Sequence, residues 1–147
     1  MITFYIKTFD ELSAVGIYEV LRLRSEVFVV EQDCVYQDID GKDQKAIHVL
    51  GFKGNELVAY SRIFDAGDYF DKPSIGRIVV KEDERQFKFG HELVATSIRY
   101  ILDNFQEKSI AISAQTYLTK FYNAHGFEQV GEEYLEDGIP HVKMIRK

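Results

Sequence analysis

Residues 79–93, VVKEDERQFKFGHEL, set Arg85, Lys88 and Gly90 in a short basic turn between an apolar β-prone run and a helix start. The first N–H groups of a helix lack intrahelical partners and carry partial positive charge, so a chain entering a helix this way can hold an anion. Arg85 and Lys88 would add full charges, and Gly90 would let the backbone approach closely. That is a phosphate cradle in outline, although the same charges also suit a solvated turn.

Groups able to move protons lie elsewhere. Glu31, His48, Glu133 and His141 are the candidate bases or water-holders, and no local motif separates them. His48 falls in the alternating run Ile47-His48-Val49-Leu50, where a satisfied or solvent-facing ring is the simpler reading. His141 follows Pro140 in DGIPH and ranks above it for acceptor binding. Strand alternation puts Ile75, Arg77 and Val79 on one face, where a cation needs a carboxylate partner or an acidic ligand. Arg22 and Arg24 read as helix-surface charges, whereas Glu31 and Gln32 follow an apolar run and could line an acceptor pocket.

The acidic stretch Asp38–Asp43 (DIDGKD) fails the calcium-loop pattern, because Gly41 at its sixth position would make Tyr36 the first ligand. Four histidines and one cysteine form no zinc spacing, so no metal is expected. Cys34 is the only cysteine, which excludes an internal disulfide; it reads as a half-buried small residue near a turn.

Positioning these groups takes alternating strands and helices. Ile2–Lys7 is β-prone, and from Leu12 to about Phe28 apolar residues recur at helical spacing. Ala46–Lys53 and Leu57–Phe64 flank Gly54-Asn55, which suits a tight hairpin. Strand Ile75–Val80, helix Gly90–Asn104, strand Ser109–Ser113 and a short helix Leu118–Ala124 ended by Gly126 follow. Phe127–Tyr134 and His141–Arg146 close the chain as a hairpin around Asp137-Gly138-Ile139-Pro140, with Pro73 and Pro140 both expected in turns. Hairpins mixed with helical crossovers predict a mixed sheet in an α/β or α+β sandwich.

A chain of 147 residues, 46% hydrophobic, can bury one substantial core, and no linker or repeat divides residues 1–147. A net charge of −6 argues against nucleic-acid binding. Apolar runs too short to cross a bilayer, with no signal-peptide pattern, lead to the expectation of a cytoplasmic protein without a membrane partner. An aromatic-rich edge strand leaves a homodimer open.

The stretch from Val80 through Arg85-Gln86-Phe87-Lys88-Phe89-Gly90 resembles the acyl-CoA segment of GNAT N-acetyltransferases, a strand followed by Arg/Gln-x-x-Gly-x-Gly/Ala and a helix. Lys88 stands where that pattern has its first glycine, and Gln86 replaces a common glycine. KFYNAHGFEQVGE (120–132) is similar to the second GNAT signature, Tyr-x-x-x-Gly-Phe, with Tyr122, Gly126 and Phe127 in place. LRLRSEVFVVEQDCVYQDIDGKD and EEYLEDGIPHVKM resemble the ElaA family within that superfamily.

The resemblance implies a single GNAT-like domain. Its fold would be a mostly antiparallel six- to seven-stranded sheet, helices on both faces, and a splayed central strand pair. It implies acetyl-CoA as co-substrate and direct attack by an amine of a small molecule or protein. The Ile78 N–H would face the acetyl oxygen, with Val79 and Val80 along the pantetheine arm. Arg85, Gln86, Phe87, Lys88, Phe89, Gly90 and His91 would form the diphosphate loop, with Gln115 and Tyr122 completing the cofactor set. Tyr122 would protonate the departing thiolate, Glu31 and His141 are the base candidates, and Glu31, Gln32, Arg77 and His48 the acceptor-side candidates. LRLRSEVF also looks like the N-terminal signature of acyl-homoserine lactone synthases, which would mean a longer acyl donor. A third alternative is a non-catalytic CoA-binding module of the same fold.

Overall fold

The computed structural model describes residues 1–147. Seven strands, β1 (Thr3–Thr8), β2 (Ile47–Lys53), β3 (Glu56–Phe64), β4 (Ser74–Val80), β5 (Ile110–Gln115), β6 (Phe127–Glu136) and β7 (Ile139–Arg146), form one sheet in the order β1-β2-β3-β4-β5-β7-β6. All neighbours pair antiparallel except β4 and β5, which run parallel because α2 (Phe89–Asn104) returns the chain between them. This is the mixed sheet predicted from the order of elements, mostly antiparallel as the family resemblance implied.

Helices cover both faces, and alternation along the strands divides the core accordingly. On one side α1 (Ala14–Arg24) packs Val20 and Leu23 against Leu50, Leu57, Tyr60 and Val79. On the other, α2 packs Leu93, Val94, Ile98 and Ile101 against Val49, Ile63, Ile75, Ile110 and Ile112. Val49 and its neighbour Leu50 thus serve opposite layers, as a strand period of two requires. Ser13 caps α1, its side chain accepting from the Gly16 N–H at 2.9 Å. No helix is long and apolar enough to cross a bilayer.

Two local departures shape the cavity side. The helix expected to run straight to Phe28 widens after Arg24 into a π-helical stretch, Ser25–Glu31, in which the Gln32 N–H donates to the Val27 carbonyl and the Cys34 N–H to that of Val29. Adding a residue to each turn re-phases Phe28, Glu31 and Gln32 relative to the face set by Val20 and Leu23. Pro140 lies in β7 opposite Leu135 rather than in a turn, with Asp137 and Gly138 alone reversing the chain at φ +52° and +78°. Ladder bonds alternate along an antiparallel pair, and pairing to β5 begins only at His141, so no partner needs the missing Pro140 N–H.

Candidate active site

The site begins with a fault in the sheet. β3 pairs Tyr60 with Val79 and Arg62 with Gly76, leaving Arg77 and Ile78 together against Ser61. Arg77 takes φ +46° to make this bulge. Side-chain alternation is broken there, so Ile75 and Val79 pack on opposite faces and do not share one with Arg77, as the sequence reading had expected. On its other side β4 meets β5 at a single register pair, Ser74 with Ala111, and the strands then diverge. The opening widens into a cavity of about 540 Å³.

One wall of that cavity is the C-terminal half of β4, with Arg77, Ile78, Val79 and Val80, continuing into Arg85, Lys88, Gly90 and His91. Lys88 sits between a short 3-10 turn and α2 with φ +62° and ψ +23°, the left-handed conformation that the family pattern meets with glycine. A Cβ on Gly90 would lie 3.4 Å from the Phe121 ring and 3.9 Å from the Val80 side chain, so its absence keeps the floor open. Arg85 spans the mouth. Its Nε donates to the Val80 carbonyl at 3.0 Å, and its two terminal nitrogens reach both oxygens of Glu31 at 2.7 and 2.8 Å.

The opposite wall comes from β5, α3 (Thr119–Asn123) and the β6–β7 turn, contributing Ser113, Gln115, Tyr122, Glu136, Asp137 and His141. Gly126, at φ +90°, stops α3 and turns the chain so that Phe127 enters the core beside Tyr122. Tyr122 is 6% exposed. Burial pushes its phenol above the ordinary tyrosine range, with Tyr117 adding to the effect, so it keeps its proton at neutral pH. The Nδ1–H of His141 donates to the Ile139 carbonyl at 2.7 Å, and its Nε2 faces the cavity 3.5 Å from Glu136. His91 shares a 2.9 Å contact with His125, whose pKa burial lowers, helped by His91 and Arg146.

Glu31, Gln32, Arg77, Ile78, Val79, Val80, Arg85, Lys88, Gly90, His91, Gln115, Tyr122 and His141 are therefore brought to one cavity. Five other candidates stand apart. Glu133 is exposed on β6, away from the cavity. Gln86 and Phe87 point outward, with Lys53 over the Phe87 ring, and Phe89 is buried beneath the loop. His48 is fully buried, its nitrogens engaged by the Tyr60 hydroxyl at 2.6 Å and the Asp43 carbonyl at 2.9 Å. It is a satisfied core histidine.

Sequence reasoning missed how the acceptor side is held together. Arg24, read as a surface charge, is fully buried, because its guanidinium reaches Asp38 at 2.9 Å and Asp43 at 2.8 Å. Arg62 shares Asp43 and adds Asp40, while Arg77 donates to an Asp38 carboxylate oxygen at 2.7 Å and its carbonyl at 2.9 Å. The DIDGKD carboxylates are thus consumed by arginines, three against three. Burial pushes the Asp40 carboxyl up, but bonds from Arg62 and its charge outweigh this and hold it well below the usual carboxylate range. Asp43 is lowered likewise, burial being overcome by Arg24 and Arg62. Tyr36 joins through Asp38 at 3.3 Å and lines the cavity with Cys34. Sequence separations of 14 to 39 residues left no local signal for these pairs.

The model of the acetyltransferase (GNAT) domain family matches residues 9–147. The chain is 44% identical over 140 residues to protein ElaA of Escherichia coli K12, covering 94% of this chain and 92% of that protein. The crystal structure of E. coli ElaA superposes with a TM-score of 0.93 at 42% identity, covering 100% of both chains. An acyl-CoA N-acyltransferase from Pseudomonas aeruginosa gives the same TM-score, 0.93, at 35% identity and 100% coverage of both. The AHL synthase LasI shares the fold at TM-score 0.81, with 16% identity over 99% of this chain and 89% of that one.

Proposed function

The chain belongs to the GNAT acetyltransferase family, and from that premise we propose that it moves an acetyl group from acetyl-CoA to an amine by direct attack. The observation that carries the reading is the cavity opened where β4 and β5 diverge, with the bulged β4 backbone on one wall and the Tyr122 phenol on the other. Its basic end fits the diphosphate of a coenzyme A thioester: Lys88, Gly90 and the first turn of α2 offer charge, space and unpaired amides.

Chemistry would run between the two walls. His141 Nε2 takes one proton from the incoming ammonium, and the neutral amine attacks the thioester carbon. As the C–N bond forms, the Ile78 N–H stabilises the oxygen gaining negative charge. When the C–S bond breaks, Tyr122 gives its proton to the thiolate; the nitrogen, which carries two protons after attack, returns one of them to the phenolate and keeps the other as the amide N–H. His141 suits the base role better than Glu31, because both Glu31 oxygens are occupied by Arg85 at 2.7 and 2.8 Å, while the Nε2 of His141 has only Glu136 beside it at 3.5 Å.

Titration calorimetry with acetyl-CoA, followed by thiol release across an amine panel, tests this. Saturable heat, and turnover that falls as the acyl chain lengthens, are expected. Preference for longer chains overturns the donor assignment, binding without turnover on any amine overturns the enzyme reading, and no heat from any CoA thioester overturns both.

A further inference from the structure

Resting on the acetyltransferase reading, we infer that Glu31 governs entry of the donor: it holds Arg85 as a bar across the mouth of the cavity, and the incoming thioester breaks that pair. The sequence reading had set Glu31 among the base and acceptor-side candidates, but its contacts tie it to the donor loop.

The bar lies on the open edge of β4. The Lys81 N–H donates to the Val58 carbonyl at 2.8 Å, so the neighbouring residues Ala59 and Val80 face each other without bonding. Both backbone polar groups of Val80 therefore turn away from β3, toward the gap that β5 leaves as it diverges. A side chain meets the carbonyl there in place of a strand, Arg85 Nε donating at 3.0 Å. The same guanidinium crosses to Glu31, whose two oxygens accept from its terminal nitrogens at 2.7 and 2.8 Å. Glu31 closes the π-helical stretch, so one side chain links the edge of β4 to the helical wall above it.

A thioester with its acetyl oxygen at the Ile78 N–H and its diphosphate at Lys88 and the first amides of α2 has to run along this edge past Val80. Its arm carries amide N–H groups suited to the Val80 carbonyl, and the guanidinium stands in its path. Charge favours the exchange. While the pair stands, Glu31 cancels Arg85 and leaves Lys88 as the uncompensated cation of the loop. A diphosphate carries more negative charge than a carboxylate and replaces Glu31 as the partner of Arg85. Swapping one anion for another frees the Val80 carbonyl and opens the mouth together. The Arg85 and Glu31 side chains are 43% and 28% exposed, so the pair is weak enough to yield to a ligand. His141, on β7 across the cavity, takes no part in the swap.

Titration calorimetry with acetyl-CoA on the parent, Glu31→Gln, Arg85→Gln and the double variant tests this. Glu31→Gln keeps the size of the side chain and removes the charge that holds Arg85, so binding should tighten by about threefold or more, the scale of a partly exposed ion pair. In the Arg85→Gln background the same change should have no effect, because the bar is already gone. Stopped-flow mixing should place the gain in the association rate. Equal tightening in both backgrounds would mean plain repulsion between Glu31 and the diphosphate, and it overturns the inference. So does a Glu31→Gln protein that binds acetyl-CoA no better than the parent, which would make the pair a fixed part of the wall. Heat from none of the four proteins is a different failure: it strikes the proposed reaction itself, and the bar with it.

Discussion

Tyr122 combines two properties a proton donor to a thiolate needs: a hydroxyl that keeps its proton at neutral pH, and a fixed ring wedged between Phe121 and Phe127. Tyr122→Phe removes only the hydroxyl, so turnover should drop by roughly 10² to 10⁴-fold while the acetyl-CoA dissociation constant stays nearly constant. Single-turnover kinetics beside calorimetry check both halves, and unchanged turnover removes Tyr122 from the chemistry. Lys88 presents the converse case, a side chain in a conformation suited to glycine. Lys88→Gly should raise unfolding stability by about 1 kcal/mol by relieving the left-handed strain, as read from denaturant midpoints at constant slope. At this scale the sequence was informative wherever a group acts alone on a nearby backbone. It was silent on Arg24 and Asp38, because an arginine inside a helix pattern looks the same whether it faces water or a carboxylate folded over it.

Among the elements, the segment from Cys34 to Ala46 has almost no regular structure and is pinned to the sheet by charge rather than by apolar packing. Asp43 is its central rivet, bonded by both Arg24 and Arg62. Breaking a buried pair leaves an uncompensated charge, so Asp43→Asn should cost about 3 to 5 kcal/mol and expose the segment to limited proteolysis. Stability within about 1 kcal/mol of the parent would show that the arginines find other partners. The strands and α2 were readable from periodicity to within two residues at each end, because each buries a regular face. The β4 bulge and the π-helical stretch were not, since both interrupt the periods on which such reading depends. These irregular places line the cavity, where local rules yield to positioning a ligand.

For the molecule as a whole, the titrating groups set an acid limit. Burial lowers the pKa of His48 and His125, so the unfolded chain binds those protons more tightly. Stability is then lost as pH falls below the ordinary histidine value of about 6.5. Asp40 and Asp43, held low by arginines, contribute stability that is complete above the ordinary carboxylate value and disappears as pH drops toward their folded values. Melting temperature should therefore decline gently below about pH 6.5 and steeply below about pH 4. A flat profile between pH 7 and pH 5 would contradict the histidine part, and survival well into the acid range the carboxylate part.

One pair of residues, Ser74 and Ala111, is all that stitches β1–β4 to β5–β7 through backbone pairing. Beyond it the molecule resembles two half-shells joined at a seam, sharing a hydrophobic filling but little else along that line. Whatever lodges in the gap acts as a missing slat between them. Amides on both banks of the seam should exchange with deuterium faster in the empty protein than those in the β2–β3 hairpin, and should slow together when the gap is filled.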